Sequence, residues 1–135
     1  MTKRRPDHLV LIAEDDSSLL SYLRAEIRDH GYRAWTAEDG QRALELFLTE
    51  QPSIVVTNIH MPRMNGFQLL RAIKRLNPDT PVVLTTGFGH FRKFFPEKVE
   101  RANGFFEKPI DIIALLNHID KLLGFPAIYD ACSGS

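Results

Sequence analysis

The sequence predicts an open, doubly wound α/β domain, a parallel sheet with helices on both faces. Three observations predict it. Short apolar runs recur along the 135 residues, and a stretch with helical spacing follows each of them. The best of these runs are apolar throughout, as strands buried on both faces are. Breakers such as Gly31, Gln51-Pro52, Asn77-Pro78, Asn103-Gly104 and Gly124 separate the units, so strand and helix alternate, which implies right-handed crossovers between parallel strands.

Residues 9–13 are the first strand, closing on Glu14, Asp15 and Asp16. Ser17 or Ser18 is placed to cap a first helix carrying Leu19, Leu20, Leu23 and Ile27 at helical spacing, with Gly31 as a left-handed stop. Residues 32–37 alternate weakly around Trp35, as an edge strand does, and Asp39 opens a second helix with Ala43, Leu44, Phe47 and Leu48 on one face. Residues 54–57 form the third strand, residues 61–66 a loop, and Phe67, Leu70, Ile73 and Leu76 mark a third helix.

Residues 81–86 are the fourth strand. Beyond it come Phe91, Phe94 and Phe95, at least one of them expected to be buried, and then Pro96, which belongs at a helix start rather than inside one. A short, atypical fourth helix is therefore expected over residues 96–102. Residues 105–107 are the fifth strand, broken by Lys108-Pro109, and Ile112, Ile113, Leu115, Leu116, Ile119, Leu122 and Leu123 supply the fifth and last helix. Residues 1–8 read as a basic extension, 9–124 as the domain, and 125–135 as a tail or the start of a linker.

A chain of this length holds one core. Lys+Arg and Asp+Glu both number 17, so no global field draws in nucleic acid or an anionic membrane. The single cysteine, Cys132, allows no internal disulfide, and the apolar run after the basic start is too short for a signal segment or a membrane span. A soluble, cytoplasmic protein is expected.

In open parallel sheets, ligands bind beyond the carboxyl ends of the strands. Those ends carry Glu14-Asp15-Asp16 on the first strand, Asn58 on the third, Thr85-Thr86-Gly87 on the fourth and Lys108-Pro109 on the fifth. Adjacent acids repel one another unless a cation or a lysine offsets the repulsion, and two carboxylates suit magnesium beside a phosphate, with Lys108 and Thr86 free to hold phosphoryl oxygens. Taken singly each residue has an ordinary explanation: acids favour a helix N-terminus, and threonine packs in strands. Their joint occurrence at the ends of strands one, four and five argues for a site. No glycine-rich phosphate loop, zinc-spaced Cys/His cluster or G-x-S-x-G accompanies them.

The motifs LVLIAEDD, VVTNIHMPRMNG, PVVLTTG and FFEKP, in that order, make residues 9–124 resemble the receiver domain of response regulators in two-component signalling. The resemblance implies a flavodoxin-like three-layer sandwich with strand order 2-1-3-4-5. It also implies a magnesium-assisted site that takes a phosphoryl group from a histidine kinase or phosphotransfer protein. On that pattern Asp15 ligates the metal directly, Glu14 acts through water, and the backbone carbonyl of His60 completes the protein's share. Thr86 bonds a phosphoryl oxygen, Lys108 pairs with the phosphoryl group, and Phe105 holds the aromatic switch position, while Met61-Pro62 and Gly66 shape the loop.

Two departures stand out. The phosphoacceptor position is Asn58, and an amide cannot supply the attacking oxygen, so phosphorylation is expected to fail; its carbonyl oxygen can still ligate magnesium with Asp15, Glu14 and the His60 carbonyl, but with one negative charge fewer, so weaker yet measurable magnesium binding is expected. Pro96 alters the segment where the family has its fourth helix, on the face (residues 91–123) that commonly meets dimer or effector partners. The chain then reads as a non-phosphorylatable receiver variant or as a natural pseudo-receiver acting as a protein-interaction module. A small flavodoxin-like or phosphatase-like enzyme is disfavoured by the missing phosphate loop and nucleophile.

Overall fold

Strands β1 (Leu9–Ala13), β2 (Arg33–Ala37), β3 (Ile54–Asn58), β4 (Val82–Thr86) and β5 (Gly104–Glu107) pair in parallel in the order β2-β1-β3-β4-β5 in the computed structural model. The model describes residues 4–126, apart from the side chains of His90 and Phe91. Among the described residues six α-helices accompany the sheet: α1 (Ser17–Asp29), α2 (Gly40–Glu50), α3 (Gly66–Leu76), α4 (His90–Phe94), α5 (Pro96–Glu100) and α6 (Ile112–Leu122). The order and direction are those the resemblance implies. β1, β3 and β4 are buried at every residue, which is why they read as unbroken apolar runs.

Side chains alternate across each strand and so feed two cores. Leu11, Val55, Val82 and Leu84 pack with Ala43, Leu46 and Phe47 of α2 and Leu69, Leu70 and Ile73 of α3. Val10, Ile12, Val56 and Val83 pack on the other side with Leu20, Leu23 and Ile27 of α1 and Leu115, Leu116 and Ile119 of α6. Burying one such side chain stabilises the fold by about 2 kcal/mol relative to exposing it. The helix ends are capped locally. Asp39 caps α2, Asn65 and Gln68 form a capping box on α3, and Asp111 caps α6.

Several expectations need correction. The cap of α1 is Asp16, whose extended backbone lets Oδ1 accept from the N–H groups of Ser18 and Leu19; neither Ser17 nor Ser18 serves. On α2 the buried stripe is Ala43, Leu46 and Phe47, and Leu48 is exposed because it falls a full step round the helix from Phe47. Leu76, the last residue of α3, is exposed as well. The one atypical helix expected after β4 is two single-turn helices, α4 and α5, divided at Phe95 because Pro96 starts a helix and cannot continue one. Phe94 and Phe95 are exposed, and the side chain of Phe91 lies outside what is described.

Both ends of the described segment pack onto the fold. A 3-10 turn at Arg5–Asp7 precedes β1, and Phe125 sits edge-on to the rings of His8 and Tyr32. Cys132 and the rest of the tail past residue 126 lie outside the described residues. No described helix is long and apolar enough to cross a membrane.

Candidate functional site

The carboxyl ends of β1, β3, β4 and β5 lie side by side, and register fixes what they present. Ala13 is level with Thr57, Asn58 with Thr85, and Thr86 with Glu107. Glu14 and Asp15 therefore leave β1 beside Asn58, and Lys108 leaves β5 beside Thr86, to whose carbonyl its own N–H donates at 2.7 Å. The loop after β3 is pinned under the site by the Gly66 N–H, which donates to the Ile59 carbonyl at 2.7 Å.

At the centre is the side-chain amide of Asn58. Its Nδ2 donates to three oxygens: Asp15 Oδ1 at 3.0 Å, the His60 carbonyl at 2.9 Å and, more weakly, Glu14 Oε2 at 3.3 Å. All three neighbours are acceptors, so only the nitrogen end of the amide can face them. The three are also the groups that the resemblance assigns to magnesium. An amide nitrogen thus stands among the oxygens that a cation would gather, so the expectation that the Asn58 oxygen joins them as a metal ligand is corrected: three acceptors on one side draw the donor end of the amide.

Glu14 is almost completely buried, with 1 % of its surface exposed. Oε2 accepts from Asn58 and, at 3.0 Å, from the Asp16 N–H. The Lys108 ammonium stands 2.8 Å from Oε1; its approach lies off the ideal hydrogen-bond direction, so this is chiefly an ion pair. Burial pushes the Glu14 carboxyl above its ordinary range, with Lys108 and the Asp16 N–H opposing only part of that rise. Asp15 is exposed, and Asp16 turns away to cap α1.

Thr86 is wholly buried, and its Oγ1 accepts from the Phe88 N–H at 3.0 Å. Phe105 lies on β5 level with Leu84, half-buried against the core on the α2 and α3 side, with the Arg92 guanidinium 4.6 Å from its ring centre. His60 faces solvent and Phe88. Asn58, Glu14, Asp15, Lys108 and the His60 carbonyl are thus joined by direct contacts. Thr86 joins them through the backbone bond to Lys108, and Phe105 is set apart on the α2 and α3 side.

Residues 10–120 match the family model for the response regulator receiver domain. The chain belongs to that family. It is 32% identical over 119 residues to the transcriptional regulatory protein GlrR of Escherichia coli K12, covering 88% of this chain and 27% of that protein. It therefore spans about a quarter of GlrR's length. The response regulator receiver protein CpdR of Brucella abortus is 30% identical over 114 residues, with 84% of this chain and 95% of CpdR covered. Among solved structures, the response regulator protein TrrA of Thermotoga maritima, in complex with Mg(2+)-BeF, matches with a TM-score of 0.79 and 25% identity, over 85% of this chain and 98% of that one.

For magnesium, the receiver's donor set is right in kind: two carboxylates and a carbonyl, leaving room for waters. In this structure the same oxygens are engaged by protein groups. The amide presents N–H protons toward the shared space, and Lys108 already neutralises Glu14. Among the described residues, no group of three or more His, Cys, Asp or Glu side chains is placed to hold a metal.

Reading the sequence also missed two structural supports. Arg63, held at φ 67°, pairs with the α2 cap Asp39 at 3.1 Å and braces the loop from outside. At the opposite end of the sheet, wholly buried Asp120 accepts from Tyr32 at 2.6 Å and Arg5 at 3.0 and 3.1 Å, and lies 2.7 Å from His30 Nε2. The available signal was an acid interrupting the apolar stripe of α6 directly after Ile119.

Proposed function

We propose that this receiver domain works without phosphoryl transfer, as an interaction module of a two-component pathway held in one state by Asn58. The observation that carries this reading is the triple donation from Asn58 Nδ2 to Asp15, Glu14 and the His60 carbonyl. Phosphoryl transfer onto this site needs a carboxylate oxygen aimed at phosphorus, with positive charge to stabilise the transition state. Residue 58 offers neither a nucleophile nor a metal ligand in this orientation. It offers donor protons that offset the repulsion between Glu14 and Asp15, which is the task a bound cation would otherwise perform.

The placement of the remaining groups supports reading them as a phosphoacceptor layout. Lys108 and Thr86 flank residue 58, and a magnesium ion, where it binds, would be held by Asp15, Glu14 and the His60 carbonyl and would supply charge stabilisation. That retention supports a receiver whose acceptor aspartate has been replaced by Asn58. The closure of the cluster by the amide alone favours the second reading, a natural pseudo-receiver. In both, the unphosphorylated surface is what a histidine kinase, a phosphotransfer protein or an effector meets, and residues 91–123 are the face proposed for it.

The test is intact mass after treatment with a small phosphodonor and magnesium, for the chain as it stands and for Asn58→Asp. A phosphoryl adduct on the Asn58→Asp protein alone is expected. An adduct on the unaltered chain would overturn the reading, and silence from both proteins would show that Lys108 and Thr86 are not arranged to support transfer. The codon at position 58 in the source genome separates a replaced aspartate from a native asparagine.

A further inference from the structure

From the geometry we infer that the groove between α3 and α5 is a docking site for an acidic, amphipathic peptide segment of a partner protein. The inference does not depend on residue 58. The groove encloses about 750 Å³ and is lined by Arg71, Lys74 and Arg75 of α3 and by Lys98 and Arg101 across from them. Partly exposed Phe67 contributes the apolar part of its wall, with Leu70 buried behind it. No acidic side chain lines it among the described residues.

Three of the five cations do no work for the fold. Two have internal contacts: the Lys98 ammonium lies against the rings of Phe67 and Phe95, and that of Lys74 donates to the Thr80 carbonyl and to Asn103 Oδ1, both at 2.8 Å, tying α3 to the start of β4 and the turn before β5. Arg71, Arg75 and Arg101 are exposed, and none is ion-paired among the described residues. Cations in the last turn of a helix favour its dipole, which accounts for Lys74 and Arg75. It does not account for Arg71 in mid-helix, one turn before Arg75, where like charges repel. Lys98 and Arg101 stand at the C-terminal end of α5, where its dipole favours them too, but that does not turn both toward the groove Arg71 lines, on a chain whose net charge is zero. An anion lying between the two helices relieves the repulsion on both sides.

The aromatic residues decide which anion. A single-stranded nucleic acid uses a basic groove together with open aromatic faces on which bases stack. Here the Lys98 ammonium lies 5.5 Å from the ring centre of Phe67 and 5.2 Å from that of Phe95, while the two rings are 6.4 Å apart and tilted at 59°. The lysine thus takes up ring faces that bases would need. What stays accessible is a cationic rim around the partly exposed Phe67, which suits a helix carrying Glu or Asp beside a Leu or Phe. The 11 residues of α3 extend about 16 Å, or three turns of such a partner helix.

The probe is a labelled amphipathic peptide of Glu and Leu, a matched peptide with Gln for Glu, and an oligothymidylate of equal charge, each titrated into the full chain by fluorescence anisotropy. The Glu peptide is expected to bind about tenfold or more tighter than the Gln peptide, weakening as salt rises. Arg71→Glu with Arg101→Glu should remove that advantage. Arg24→Glu with Lys121→Glu, the same charge change on the α1 and α6 side, should keep it. Backbone amide shifts on adding the Glu peptide are expected along α3 and α5. Equal binding of the two peptides, indifference to the Arg71/Arg101 pair, or tighter binding of the oligothymidylate through those arginines would overturn the assignment.

Discussion

The Lys108 ammonium stands 2.8 Å from Oε1 of Glu14, a carboxylate with 1 % of its surface exposed. Lys108 itself is partly exposed, so its own desolvation is modest, whereas Glu14 depends on this partner. Removing one member of a buried pair leaves the other uncompensated, at a cost of roughly 3–5 kcal/mol when both are buried. For Lys108→Met we expect about 2 kcal/mol, because solvent reaches one side of the pair. Urea unfolding measures it, and Glu14→Gln in the same chain should restore more than half of the loss. Additive effects of the two substitutions would contradict the pairing.

Asn58→Asp should tighten magnesium binding. A unit charge at ~4 Å in an effective dielectric of ~20 contributes about 4 kcal/mol of gross Coulomb energy, of which desolvation removes much. An affinity gain of at least about tenfold is expected, since the three donations that compete with the ion vanish together. Calorimetric titration of the two proteins reads it directly. Equal affinities would mean that the amide turns freely to its oxygen and does not hold the cluster.

Gly66→Ala should disturb the floor of the site. A Cβ there would press into the Asn58 carbonyl oxygen and come within 2.7 Å of Ile59 Cα, both of them backbone that cannot step aside. Overpacking of this kind costs about 1–3 kcal/mol. Thermal unfolding should show the loss, and the amide resonance of Asn58 should move with it. A variant of unchanged stability would place the loop elsewhere.

Acid should weaken the far end of the sheet through Asp120. Burial alone would raise its carboxyl, but hydrogen bonds from Arg5, Tyr32 and His30 outweigh burial and hold it below the ordinary carboxylate range. A depressed folded value means stability that is present above the unfolded value of about 3.9 and is lost as pH falls through the folded one. Asp120→Asn should cost about 3 kcal/mol near neutrality and flatten the acid limb. Some slope will remain, because the Arg42 N–H holds Asp39 down as well. Unfolding midpoints between neutral pH and strong acid, compared for the two proteins, check the difference.

Much of this molecule was legible in one dimension. Strands with both faces buried must be apolar at every position, so β1, β3 and β4 announced themselves, and parallel strands put their carboxyl ends on one side, so Glu14, Asn58, Thr86 and Lys108 were grouped before any coordinates. The helix start at Pro96 was legible, the extra turn α4 before it was not, and the cap of α1 was less legible, because three neighbouring residues can each cap a helix and only the backbone angle at Asp16 chooses among them.

By itself, then, the sequence determined the architecture, the family and the amide at position 58, since each rests on local periodicity or on residue identity. The tertiary structure alone decided what that amide does. Whether Asn58 turns its nitrogen or its oxygen to Glu14 and Asp15 depends on which oxygens from two strands and one loop surround it. The pairing of Lys108 with Glu14 and the facing of Arg71 by Arg101 likewise join residues far apart in the chain. Such contacts depend on packing distances, which no local pattern records.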